Sequence, residues 1–277
     1  MRARAGLAAL SAAVARKALW RAVLTVTGGL RVRGVPRLPD GPCVIVANHN
    51  SHADTAALIA ALPAGRRPAV AAAADYWFSA PLPGQRGVLS AARLRPWACQ
   101  ALCGAFPVRR GGGGTADLEA AARLLAAGRD VVIYPEGSRS RDGSVGEFRH
   151  GAARLAILSG VPVVPVAITG TRELLPASRT GARRRRGAVT VRIGLPVRAG
   201  VAACDSDDAI DVAGKGPLLR KRCRPGDSDA SNAGALVRQR LRSCVPGAVS
   251  QQDAASDMTA DARAQVVALA SRPQERR

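Results

Sequence analysis

Aromatic side chains, histidines and long apolar runs are all scarce in this chain, and each shortage removes a class of explanation. Three Trp, two Tyr and three Phe in 277 residues leave little surface for stacking bases, so single-strand nucleic-acid recognition through aromatic platforms is poorly supported. No uncharged stretch reaches the roughly 18–20 apolar residues that span a bilayer. The longest, Leu155 to Thr171, is broken by Gly160, Pro162 and Pro165 and reads as buried core. The six cysteines (Cys43, Cys99, Cys103, Cys204, Cys223 and Cys244) show neither paired zinc spacing nor a compact disulfide framework, which fits a reducing cytosolic setting. Acidic residues are also few: 20 Asp and Glu stand against 41 Lys and Arg, a formal net charge of +21. A membrane surface, a phosphorylated substrate and nucleic acid are the anionic partners this charge admits. Arginine-rich, alanine-rich composition is also what a GC-rich genome produces without selection for binding.

A hydrophobic content of 47% over this length is enough for a substantial core. The N-terminal "MRARAGLAALSAAVARKALWRAVLTV" has Arg16, Lys17 and Arg21 where a signal-peptide core would have to be apolar. It reads as an amphipathic basic helix within residues 1–34, which either lies on an anionic membrane or packs on the domain. Short β-rich runs follow at Cys43–Ala47, Pro68–Ala73, Phe106–Val108, Val131–Tyr134, Val163–Ile168 and Ala188–Ile193. Between them, Thr115 as cap, Asp117 and Glu119 in the first turn, and Leu118, Ala122 and Leu125 on one face predict a helix ended by Gly128. A second helix is expected from Gly151 to Ser159, with Gly160 as terminator. Strand, helix and strand in succession predict a crossover unit, hence an α/β fold with a mostly parallel central sheet flanked by helices. The main domain is placed at residues 35–200. Beyond it, "CDSDDAIDVAGKGP" and "RPGDSDASNAG" carry few large apolar groups. Residues 201–277 are expected to be a low-complexity, loosely packed and partly disordered tail with short helices at "GALVRQRLRS" and "ARAQVVALA".

Polar clusters follow three of the expected strands. His49 and Asp54 come after Ala47, Arg109 and Arg110 after Val108, and "PEGSRS" after Tyr134. Ligands of open α/β sheets bind outside the carboxyl ends of the strands, so the three clusters can converge on one site. Five residues along a helix is about 500° of rotation, roughly 140° from eclipsed. His49 and Asp54 therefore meet only if His49 sits on the turn before a helix and Asp54 reaches back from its first turn. A carboxylate on one imidazole nitrogen fixes the tautomer and raises the basicity of the other, as a general base acting on an alcohol requires. A metal site would need His49, His52 and a third ligand, and the remaining histidine, His150, lies in a basic "FRHG"; no metal is assigned. In "YPEGSRS", Pro135 halts the strand, Gly137 lets backbone N–H groups approach a ligand, and Ser138 and Arg139 offer donors suited to phosphate oxygens. Glu136 orients the arginines or a substrate hydroxyl. An ordinary charged turn is the other reading of this segment.

Taken together, "NHNSHAD" (Asn48–Asp54), "GAFPVRR" (Gly104–Arg110), "YPEGSRS" (Tyr134–Ser140) and "VPVVPV" (Val161–Val166) resemble, in order and spacing, the four blocks of the glycerolipid acyltransferases. "FRHGAARLA" (Phe148–Ala156) resembles a further stretch that follows the third block. The resemblance covers about residues 35–200. It implies that His49 is the base and Asp54 its partner, and that the acceptor hydroxyl attacks the thioester of acyl-CoA or acyl-carrier protein directly, with no other cofactor. It implies that Arg110, Gly137, Ser138 and Arg139 hold the acceptor's phosphate, that Glu136 binds substrate, and that His52 falls at a variable position. The implied activity is acylation of lysophosphatidate to phosphatidate at the cytoplasmic face of the cell membrane, as a peripheral protein that binds no nucleic acid. The alternatives are another acceptor, glycerol-3-phosphate or a different lysophospholipid, and a non-catalytic basic protein contacting membrane or nucleic acid through "TGARRRRG" (Thr180–Gly187). Tyr134 stands where the family usually has phenylalanine and Ser138 where it usually has threonine. The stretch between the first two blocks, which shapes the acyl and acceptor pocket in such enzymes, is less typical.

Overall fold

The computed structural model describes residues 2–78, 91–109, 114–174, 188–199 and 248–272. Seven strands form one mixed sheet: β1 (Leu30–Arg33), β2 (Val44–Ala47), β3 (Ala69–Ala73), β4 (Ala105–Val108), β5 (Val131–Ile133), β6 (Val163–Thr169) and β7 (Val189–Ile193), in the order β1-β7-β6-β2-β5-β3-β4. Strands β2 to β6 are mutually parallel, β7 runs antiparallel to β6, and β1 pairs parallel with β7. The helices are α1 (Arg2–Thr27), α2 (Ala53–Ala61), α3 (Ala74–Trp77), α4 (Ala91–Cys103), α5 (Thr115–Ala126), α6 (Gly151–Ser159), α7 (Thr171–Leu174) and α8 (Ala248–Ala270).

Both faces of the sheet are covered, so its central strands read as continuous apolar runs rather than as an alternation of apolar and polar residues. Val44, Val46, Val131, Val163 and Ala167 pack under α5, α6 and α8. The intervening residues Ile45, Ala47, Val132, Val164, Val166 and Ile168 pack with α2 and with Leu24 of α1 on the other side. Helix α6 ends at Gly160, whose φ of +66° is the left-handed cap that glycine adopts without penalty.

The expected strands and both well-signalled helices are present, with three corrections. Gly114, not Thr115, holds the N-cap position of α5, and Asp117 uses its carboxylate on the N–H of Arg109 instead. Strand β1 was not anticipated; it is a short edge strand whose Arg31 and Arg33 mask the alternation of Leu30 and Val32. The third correction concerns the expected loose tail, because residues 248–270 form one long helix. Ala255, Met258, Ala262, Val266 and Leu269, spaced by three and four, are buried in the same core as α5 and α6. Met258, Val266 and Leu269 supply the large apolar groups of this face, and the last nine residues of the helix are the expected "ARAQVVALA". "GALVRQRLRS" and the arginine run Arg183–Arg186 lie outside the described residues.

Helix α1 packs on the domain with its polarity opposite to a basic membrane-facing stripe. Arg16 donates to the carbonyl of Ala101 at 2.9 Å and Trp20 to that of Leu102 at 2.8 Å, while Lys17 and Arg21 reach the carbonyls of Leu62 and Ala60. Those carbonyls are at the C-terminal ends of α2 and α4, where unsatisfied acceptors and the helix dipole favour cations. The apolar Val14, Leu19, Val23 and Val26 face solvent instead.

Candidate active site

The carboxyl ends of β2 to β6 lie along one edge of the sheet, and the polar clusters meet there. His49 sits on the turn after β2, and Asp54 is in the first turn of α2, the turn-then-helix arrangement that the five-residue spacing demands. His49 Nδ1 lies 2.9 Å from Asp54 Oδ2. The same oxygen accepts the N–H groups of Asn50 and Ser51, each at 2.7 Å, and Oδ1 accepts the hydroxyl of Thr171 at 2.5 Å. Asp54 is fully buried, so these four donors compensate a charge that water cannot reach. With Asp54 on Nδ1, the tautomer is set and Nε2 is left as the nitrogen able to take a proton.

His49 is held from three further sides. Its backbone N–H donates to Glu136 Oε1 at 2.8 Å, and its carbonyl accepts from Ser140 N at 2.7 Å. Tyr134 stacks on the imidazole with centroids 4.2 Å apart and planes inclined by 20°. The tyrosine hydroxyl lies 2.9 Å from Thr55 Oγ1 on α2, and burial holds its pKa well above the ordinary value, so the ring is a neutral platform. Asn48 locks the loop to β6 by a reciprocal pair of bonds with Ile168, 2.9 and 2.8 Å.

His49 opens onto a cavity of about 710 Å³, within the range of ligand pockets. Its apolar walls include Trp20, Val70, Leu102, Phe106, Leu118 and Ile133, and Gly137, Ser138 and Arg139 line its polar side. Gly137 has φ of +73°, and a Cβ there would stand 3.2 Å from the guanidinium of Arg149, so both the turn and the crowding require glycine. Arg109, Arg139, Arg149 and Arg154 line this cavity against one carboxylate among the described residues, Asp117. Asp117 is itself engaged by Arg109.

The structure thus brings His49, Asp54, Gly137, Ser138 and Arg139 together. Arg110 lies outside the described residues. Glu136 is near the others, but both its oxygens are taken by backbone, Oε1 by His49 N and Oε2 by Gly146 N at 3.1 Å. Burial raises its pKa, and the two N–H donors oppose that rise. His52 packs against Tyr76 and Trp77; burial, with Arg139 and His49 nearby, lowers its pKa. Cys99 and Cys103 also line the cavity, and burial pushes their thiols up to about 12 and about 11. Neither presents a thiolate at neutral pH. Thr171 escaped the sequence reading, because a threonine 117 residues from Asp54 carries no local signal; Gly170, at φ +86° just before it, is the one hint of a turn aimed at the site.

Residues 29–169, just over half of the chain, match the family model described as Acyltransferase. The chain belongs to the acyltransferase family. Among this acyltransferase's relatives, a chloroplastic 1-acyl-sn-glycerol-3-phosphate acyltransferase of Brassica napus is 32% identical over 184 residues, covering 64% of this chain and 48% of the relative. The human 1-acyl-sn-glycerol-3-phosphate acyltransferase alpha is 30% identical over 148 residues, 52% of this chain and 47% of the relative. The chain therefore spans about half the length of these curated relatives. Among solved structures, the 1-acyl-sn-glycerophosphate (LPA) acyltransferase PlsC from Thermotoga maritima is 25% identical with a TM-score of 0.50, covering 66% of this chain and 67% of that one.

Proposed function

We propose that this acyltransferase moves a fatty acyl group from acyl-CoA or acyl-carrier protein to the free hydroxyl of lysophosphatidate, giving phosphatidate. The observation that carries this reading is one cavity with three properties: a carboxylate-held histidine, an excess of arginines and apolar walls. Such a cavity suits an amphiphile with an anionic head and a long chain, next to a base that can activate an alcohol. The names of the relatives support the same acceptor.

In the proposed reaction His49 Nε2 takes the proton of the acceptor hydroxyl as its oxygen attacks the thioester carbonyl carbon. The tetrahedral intermediate collapses with cleavage of the C–S bond, and the leaving thiolate recovers the proton from the imidazolium. Asp54 stabilises that imidazolium through Nδ1. Neither cavity cysteine has a hydrogen bond to His49 among the described residues, and in the proposed reaction the acceptor hydroxyl attacks directly. Arg139, with Gly137 and Ser138, binds the acceptor phosphate, joined by Arg110. Glu136 supports the site by fixing the backbone of His49. The enzyme works as a peripheral protein on the cytoplasmic face of the membrane; among the described residues no helix is long and apolar enough to cross a bilayer.

Thiol release from long-chain acyl-CoA in the presence of lysophosphatidate tests the reading. His49→Ala is expected to lower the rate by about 10²–10⁴-fold, the usual contribution of a general base, and undiminished turnover would remove His49 as the base. Arg139→Ala should raise KM for lysophosphatidate and leave a phosphate-free monoacylglycerol unaffected. Preference for glycerol-3-phosphate in the same assay would move the acceptor to that compound without changing the mechanism.

A further inference from the structure

The connection between β5 and α6 runs over residues 134–150 without helix or strand, and it carries the whole "PEGSRS" cluster. A stretch this long needs tethers to hold a defined shape. One comes from outside the matched family span: Arg263 of α8 donates from Nε to the carbonyl of Gly146 at 2.8 Å. The N–H of the same glycine donates to Glu136 Oε2, and Glu136 Oε1 receives the N–H of His49. A continuous series of three hydrogen bonds thus leads from α8 to the backbone of the base. A second tether lies beside it, where His150 Nδ1 is 3.3 Å from Thr259 Oγ1. Thr259 spends its own proton on the carbonyl of Ala255 at 2.6 Å, so it accepts from His150 and fixes that ring's tautomer.

We infer that Arg263 is a positioning residue for acyl transfer, setting through Gly146 and Glu136 the placement of His49 above the cavity. Its part-buried, charge-assisted bond is stronger than a neutral one, and it is supplied by a helix already fixed in the core through Ala255, Met258, Ala262 and Val266. Removing the guanidinium therefore frees the loop without unseating the helix. The inference rests on the acyl-transfer reading for its kinetic consequence but not for its structural one.

The test compares three variants of the full chain. Arg263→Ala is expected to lower kcat for acyl-CoA and lysophosphatidate on the order of tenfold with KM within about twofold, as displacement of a reacting group predicts. Arg263→Lys, which keeps a cationic donor on a similar stem, should recover most of the rate. Gln265→Ala removes a different α8 bond, to the N–H of Leu195 beyond β7 at 3.0 Å, and should leave kcat unchanged. Hydrogen exchange provides the readout that needs no substrate: the amides of Gly146 and His49 should exchange faster in Arg263→Ala and not in Gln265→Ala. Equal kcat in the two alanine variants, or unchanged exchange at both amides, would overturn the inference. Faster exchange in a protein that transfers no acyl group would sink the function and keep the brace.

Discussion

The chemistry of the site depends on how completely one buried carboxylate is satisfied. Asp54 receives two backbone N–H groups and the imidazole on Oδ2, so Thr171 is the donor seen on Oδ1. Replacing Thr171 by Val keeps the shape and leaves that oxygen buried without its donor, which costs about 1.5–3 kcal/mol for a bond to a charged group. The carboxylate then gains by rotating towards another donor, which loosens its hold on Nδ1. Thr171→Val is therefore expected to lower both the unfolding free energy and kcat, the latter about tenfold, whereas Thr171→Ser retains both. Denaturant unfolding and steady-state rates measured side by side decide this; a valine variant with normal kcat would show that Asp54 needs no help from α7. Tyr134 adds a further tie, since its hydroxyl joins the ring stacked on His49 to Thr55.

At the level of elements, the sheet's two ends do different work. The carboxyl ends of the parallel strands hold the site, while a buried ion pair holds β2 and β5 at their other ends: Asp130 Oδ1 is 2.6 Å from Arg66 Nη1 and also accepts the N–H of Cys43 at 3.2 Å. Burial raises the pKa of Asp130 and Arg66 opposes the rise. Arg66→Met would leave the buried carboxylate without its cation and with only the Cys43 donors, at a cost of about 3 kcal/mol. Without Arg66 the folded-state pKa moves further above the unfolded value of about 3.9. The folded protein then binds the proton more tightly than the unfolded chain, so the stability linked to Asp130 is fully present below about pH 4 and is lost as pH rises through the folded pKa. Unfolding curves across the acid range should show the variant's deficit shrinking as pH falls; a deficit constant with pH would mean that the loss is one of packing alone. These elements were legible in the sequence to different degrees. The apolar runs of β2, β5 and β6 and the glycine-terminated α6 announce themselves, because burial on both faces and a left-handed cap restrict the residues that fit. His49 and Asp54 were legible because their spacing permits one geometry. Helix α8 was legible only in its last nine residues, "ARAQVVALA", because its earlier part sets Ala255 and Met258 among Asp253, Ser256 and Asp257. The backbone partners of Glu136 were not legible, since they leave no mark on residue choice.

For the molecule as a whole, the described basic and apolar groups of α1 occupy different sides of that helix. The described basic residues of α1, among them Arg16, Lys17 and Arg21, bond to backbone carbonyls of the domain, so they add less to an external electrostatic patch than their number implies. Val26 at 71%, Leu19 at 46% and Val14 at 44% exposure mark the outward side of α1, and Trp97 of α4 is 68% exposed. Trp20 and Leu102, which join α1 to α4, also line the cavity. Burial of apolar surface contributes about 25 cal/mol per Å² and is insensitive to salt, whereas attraction of basic residues to anionic lipid, about 1 kcal/mol each near the surface, is screened within a Debye length. If the protein acts at a membrane as proposed, these two sources of affinity can therefore be separated. Val23→Asp with Val26→Asp should weaken sedimentation with both phosphatidylcholine and phosphatidylglycerol vesicles at any salt concentration. Reversing the charges of Arg183 to Arg186 should weaken binding to phosphatidylglycerol only, and only at low salt. Unchanged partitioning of the aspartate variant would take α1 out of membrane contact and leave the arginine run as the anchor.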